Sequence, residues 1–155
     1  MKKLFILFVV SLGIAACTTK PKTGNTGQTY STGSDSVENI SQNVCFQKLS
    51  GTTNQDTAFI QFIIEGEHVS GNFSNLPYEK DSRVGTIQAT KNGELIKGVW
   101  IYMQEGINDT LEVEFKLSGD KLVQKNYSID SKTGREVFSE GSVFNIEFNK
   151  VNCPE

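Results

Sequence analysis

Histidine is almost absent from this 155-residue chain: there is only His68, and methionine, tryptophan and proline number two, one and three. A lone imidazole does not furnish a zinc site, which takes several His or Cys ligands. No GxSxG, P-loop, HExxH or EF-hand pattern occurs, so the usual local signatures of hydrolase, nucleotide and calcium chemistry are missing. No catalytic residue, metal or cofactor is therefore expected. His68 sits beside a turn in Glu65-Gly66-Glu67-His68 and reads as a solvated strand end, its acidic neighbours at most weak ligands for a cation. A basic stripe is also lacking. The formal net charge is -3 and the lysines are scattered among acids, which argues against nucleic acid as a partner, because neutralising phosphates takes clustered Lys and Arg.

The longest apolar run, Leu4 to Ile14, falls short of the roughly 20 residues needed to span a bilayer as a helix. It follows Met1, Lys2 and Lys3 and precedes Ala15 and Ala16, the layout of a secretory signal over residues 1–16. Ile14-Ala15-Ala16-Cys17 resembles the lipobox of bacterial lipoproteins, which implies acylation of Cys17 and cleavage before it. Several acyl chains at about 0.8 kcal/mol per buried CH₂ hold a protein on a membrane without a transmembrane helix. Thr18 follows the cysteine, and no acid appears before Asp35. By analogy with lipoprotein sorting, this favours the outer membrane, on either leaflet. Cleavage removes Lys2 and Lys3 and no acid, so 13 of the 15 basic residues remain against 18 acids, a net charge of about -5.

Residues 17–43 join the lipidated cysteine to a stretch rich in Thr, Ser, Gly and Asn with hardly an apolar side chain. Such a stretch buries too little surface to offset the entropy of ordering. As a coil it would reach about 25 to 30 Å. Residues 44–155 then form one domain. Of three cysteines, Cys45 and Cys153 remain at the two ends of this domain, in an exported chain where disulfides persist. A bond between them would make the first and last strands neighbours. Two free thiols or a bond between chains are the alternatives.

Period-two patterning dominates beyond Asn43. In Thr110 to Ser118, Leu111, Val113, Phe115 and Leu117 alternate with Glu112, Glu114 and Lys116, one face for a core and one for water. Asp56 to Glu65 is more apolar, which predicts a strand covered on both faces or lying near the closure. Further strands are expected at 44–50, 67–75, 84–91, 94–104, 121–129 and 142–150, with charged loops at 77–83 and 130–141. Asp56-Thr57, Phe62, Gly66 and Val69 recur 53 residues later as Asp109-Thr110, Phe115, Gly119 and Leu122, the mark of two similar hairpins or of a duplication. The fold expected is all-β, a closed antiparallel meander barrel of about eight strands, lipocalin or calycin-like, since closure removes exposed edges. A two-sheet sandwich is the runner-up.

Trp100 and Tyr102 alternate with Val99, Ile101 and Met103 in a strand apolar on both faces. They read either as core or, together with Phe73, as the lining of a barrel mouth that holds a small apolar ligand. Asp35-Ser36-Val37, Asp56-Thr57-Ala58 and Asp109-Thr110-Leu111 resemble the Asp-Ser/Thr-aliphatic sequon of periplasmic O-glycosylation in Bacteroidetes, making Ser36, Thr57 and Thr110 candidate acceptors. The structural reading is an Asp-Thr pair that opens a strand, with the carboxylate bonding backbone amides.

Cys45-Phe46, Asp56-Thr57-Ala58, Val69-Ser70-Gly71-Asn72-Phe73, Tyr78-Glu79-Lys80-Asp81-Ser82, Gly85-Thr86-Ile87 and Glu105-Gly106 together resemble a family of small lipoproteins from Bacteroidetes-type bacteria. Their order is Cys-Tyr, Asp-Thr-Ala, Val-x-Gly-x-Leu, Tyr-Glu-Lys-Asp, Gly-Thr-Ile and Ser-Glu-Gly. The match spans roughly residues 45–125 and departs from the family at Phe46 and Gln104. The resemblance implies a β-rich lipoprotein and no catalytic residue. The expectation is a monomeric, non-enzymatic outer-membrane lipoprotein that binds a small apolar ligand or an envelope protein, or has a structural role in the envelope. The alternatives are a lysozyme-type hydrolase inhibitor, presenting a protruding loop such as 77–83, and an envelope glycan hydrolase, with two carboxylates about 5 to 10 Å apart in a cleft.

Overall fold

The computed structural model describes residues 40–154. The expected signal peptide, Cys17, Ser36 and the tether up to residue 39 lie outside the described residues. Ten strands follow in order: β1 (Gln42–Ser50), β2 (Asp56–Glu65), β3 (His68–Leu76), β4 (Arg83–Asn92), β5 (Leu95–Gln104), β6 (Ile107–Ser118), β7 (Lys121–Lys125), β8 (Ser128–Ile129), β9 (Glu136–Val137) and β10 (Phe144–Val151). Eight of them close into an antiparallel barrel, β1-β10-β7-β6-β5-β4-β3-β2, and β8 pairs with β9 as a separate ribbon. This is the eight-stranded meander barrel that the sequence pattern predicts, and not a sandwich.

Alternation produces it strand by strand. In β6, Leu111, Val113 and Phe115 are buried while Glu112 and Lys116 are exposed. In β2, Ala58, Ile60, Phe62 and Ile64 point inward, and on the outer face Ile63 is exposed and Phe59 half-buried. β2 is thus not covered on both faces; its apolar character goes with its place beside the closing strand β1. Two-residue turns link the hairpins at one end of the barrel, the base. Gly66-Glu67, Gly93-Glu94 and Gly119-Asp120 all open on a glycine with positive φ, 62°, 58° and 58°, as tight hairpins require. The two halves of the weak repeat occupy equivalent positions. Phe62 and Phe115 meet edge to face at 5.5 Å, and Val69 and Leu122 are fully buried.

Bending the sheet into a barrel brings backbones close at Gly71, where an added Cβ would lie 1.9 Å from the Gln61 carbonyl oxygen. Only glycine fits such an approach. Closure itself is narrow: β1 and β10 share three residue pairs, Cys45 with Val151, Phe46 with Lys150 and Gln47 with Asn149, whereas β1 pairs with β2 along its whole length. Cys45, at the edge of this seam, and Cys153, just beyond it, lie at disulfide distance, Cα atoms 5.1 Å apart.

The expected strand 121–129 stops at Lys125. Asn126 accepts the Val143 amide through its side chain at 2.6 Å and donates its own amide to the Val143 carbonyl at 2.9 Å. These bonds pinch residues 126–143 off as a strap. The strap carries the β8–β9 ribbon and replaces the expected plain loop at 130–141.

Candidate functional site

An eight-stranded barrel is just wide enough for side chains to fill, and aromatic rings do so here. Phe73 stacks on Trp100 at 4.2 Å and meets Phe115 and Phe148 at 6.4 and 6.3 Å. Trp100 is 2% exposed, and its indole Nε1 donates to the Phe73 carbonyl at 3.2 Å. Phe73 and Trp100 are therefore buried in the core, the first of the two readings that the sequence allows them. The physical reason is depth. Period two says that these side chains point inward, but their height along the barrel sets whether they meet packing or solvent.

Tyr102, two residues further along β5, packs on Trp100 at 4.5 Å and ends the aromatic stack. Above it the interior turns polar. At the end opposite the base, Asn75 pairs with Arg83 and Tyr102 with Asp109 in register, so the inward alternation delivers polar groups to the rim. A cleft of about 280 Å³ opens here, lined by Arg83, Tyr102, Gln104, Asp109, Arg135 and Glu136. A neighbouring cleft of about 530 Å³ reaches the 77–81 segment and shares Arg83, Gln104 and Glu136. A third, of about 200 Å³, shares Tyr102, Gln104 and Asp109 and runs to Ile107.

The strap supplies one wall of this mouth. Asp130 accepts the amides of Lys132 and Thr133 at 3.0 and 2.7 Å, and Gly134 takes the left-handed conformation at φ 70°. The tip so formed holds Arg135 and Glu136 against the barrel. Glu136 pairs with Arg83. Arg135 donates to Asp109 at 2.8 Å and to the Thr110 carbonyl at 3.2 Å. Further back, Phe138 stacks on Tyr127 at 5.0 Å, and the Tyr127 hydroxyl donates to the Glu112 carbonyl at 2.8 Å. Burial pushes the Tyr127 hydroxyl well above the usual phenol range, so it stays a neutral donor.

The ion pairs set the electrostatics of the mouth. The Arg135 guanidinium and the Thr110 amide hold the Asp109 carboxyl below its ordinary value. Burial works to lower Arg83, but its bond and charge attraction to Glu136 prevail and raise it. Burial raises Tyr102, whose ring carries the Arg83 guanidinium 5.2 Å above its centroid. Arg83 also donates through Nε to Gln104 at 2.7 Å, and the Gln104 carboxamide donates to Asp81 at 3.1 Å. Arg83, Tyr102, Gln104, Asp109, Arg135 and Glu136 thus each have a protein partner before any ligand arrives. In the first cleft the charges balance, two guanidinium groups against Asp109 and Glu136; the flanking clefts add Glu79, Lys80, Asp81 and Glu105.

The other sequence candidates are spread apart. Thr57 is half-buried on the outer face between Leu49 and Leu76, and Thr110 is exposed on the outer face of β6. Their aspartates do tie backbone amides: Asp56 accepts the Tyr78 amide at 2.8 Å and Asp109 the Thr110 amide at 2.7 Å. Among the described residues no three His, Cys, Asp or Glu side chains gather as metal ligands. Arg83, Gln104, Arg135 and Glu136 were not singled out from sequence. A charged residue at a strand end or loop tip carries no periodic signal; the one hint was Gln104, where the chain departs from the lipoprotein pattern. Searches among protein-family models, curated proteins and solved structures return no match to this chain.

Proposed function

We propose that the chain is an outer-membrane lipoprotein, held by lipid on Cys17, whose barrel performs a non-enzymatic binding role at its polar mouth. The observation that carries this reading is the division of the interior: a solid aromatic core up to Tyr102, then a charge-balanced cleft walled by the strap. A filled core leaves no chamber for an apolar ligand beside Trp100, so the ligand is a polar one taken at the rim. Two features weigh against the other readings. Segment 77–82 is tied down, through Tyr78 to Asp56 and through Asp81 to Gln104, where an inhibitory loop would protrude. Asp109 and Glu136 share a cleft, but each is paired with a guanidinium, and Asp109 is held low, which does not suit it to donate a proton to a leaving group.

Metabolic labelling with palmitate tests the anchor. The full chain expressed in a lipoprotein-processing bacterium is expected to carry label and to sediment with outer membranes. Cys17→Ser is expected to lose both. Retention of label by Cys17→Ser, or its absence from the unaltered chain, overturns the assignment.

A further inference from the structure

We infer that the mouth takes a neutral oligosaccharide, an inference that rests on reading the mouth as the binding surface. At the centre of the mouth each charge already has its counter-charge: Arg83 with Glu136, and Arg135 with Asp109 at 2.8 Å, while Glu79, Lys80, Asp81 and Glu105 line the flanking clefts. An anion meets guanidinium groups already neutralised, and a cation meets carboxylates in the same state. A zwitterion such as a short peptide would have to prise both pairs apart. A sugar hydroxyl needs none of this, because it donates and accepts at once. It can use the free lone pairs of Asp109 and Glu136 and the guanidinium N–H groups that carry no protein partner among the described residues, leaving both pairs intact.

Shape points the same way. The three clefts share lining residues and so run as one groove from the 77–81 segment past Gln104 to Ile107. That run exceeds one pyranose ring and suits a chain of several. Leu111 and Ile129 lie in the same lining and offer apolar surface to the C–H face of a sugar. Gln104 is held from both sides, by Arg83 and Asp81, so little ordering is left for binding to cost.

The test uses the full chain in detergent micelles on an array of neutral and acidic oligosaccharides of graded length, with triglycine and inorganic phosphate titrated separately. The expected result is capture of neutral chains, tighter with length. Gln104→Ala and Arg135→Ala should weaken it about tenfold or more, as loss of a hydrogen bond to a charged group does, while emission from the buried Trp100 shows the barrel intact. Binding unchanged in both variants overturns the assignment of the groove. An array without signal, combined with triglycine or phosphate binding that shifts the Tyr102 and Gln104 resonances, overturns the saccharide and leaves the mouth a binding surface. If none of the probes binds, both readings fall.

Discussion

Asp109 accepts hydrogen bonds from the Thr110 amide at 2.7 Å, from Arg135 at 2.8 Å and from the Tyr102 hydroxyl at 3.4 Å. All three favour the charged form, and the carboxyl is held below its ordinary value of 3.8. In the folded chain it therefore releases its proton at a lower pH than in the unfolded chain. Its stabilisation is present in full above pH 3.8 and disappears as pH falls through the lower folded value. NMR titration of the Asp109 carboxyl carbon is expected to give a midpoint below 3.8, moving upward in Arg135→Ala. A midpoint at or above 3.8 in the unaltered chain would contradict the pairing. Phe73, Trp100 and Tyr102 show what sequence could and could not tell at this scale. Their inward direction was legible from period two, and core was one of the two readings it allowed; the choice between core and mouth was not legible, because the height of each side chain along the barrel depends on how neighbouring strands are staggered.

Among the elements, β6 and the hairpins were the most legible. Leu111 to Leu117 alternate cleanly, and a glycine marks each base turn, so local patterning and turn chemistry agreed. The strap was not legible. Its fold depends on Asn126 meeting Val143 across 17 residues and on Phe138 stacking on Tyr127, contacts that leave no periodicity. Because one wall of the mouth is built by this segment, that part of the site was hidden with it. The Arg83–Glu136 pair that ties the strap tip to the barrel is partly exposed, so the tip belongs to the less stable part of the fold. Glu136→Gln is expected to speed amide exchange across residues 128–137 while global stability falls by about 1 kcal/mol or less, the usual worth of such a pair. Exchange in the strap unaltered by this substitution would show that Glu136 does not hold it.

At the scale of the whole molecule, closure depends on the three-pair seam between β1 and β10 and on the cysteine pair at its edge. The crosslink spans 108 residues of sequence. In the chain-entropy account a loop of that size stabilises by about 4 to 5 kcal/mol, nearly all of it by restricting the unfolded chain. Cys153→Ser, or reduction, should lower the urea midpoint accordingly, with base amides of β1 and β10 losing exchange protection first. An unchanged midpoint would mean that the seam holds without sulfur. The adjacency of first and last strands was legible from two cysteines at the ends of one domain, whereas the shortness of their shared ladder was not.

The barrel is closed and its interior filled, which leaves its mouth for ligands. The single tryptophan, 2% exposed and stacked on Phe73 at 4.2 Å, reports directly on that interior. Acrylamide quenching of Trp100 emission, with and without an excess of an apolar naphthylamine probe, is the decisive measurement. A filled interior gives a blue-shifted emission that acrylamide barely quenches and the probe leaves unchanged. Ready quenching by acrylamide, or energy transfer from Trp100 to a bound probe, would reveal an internal chamber and contradict it.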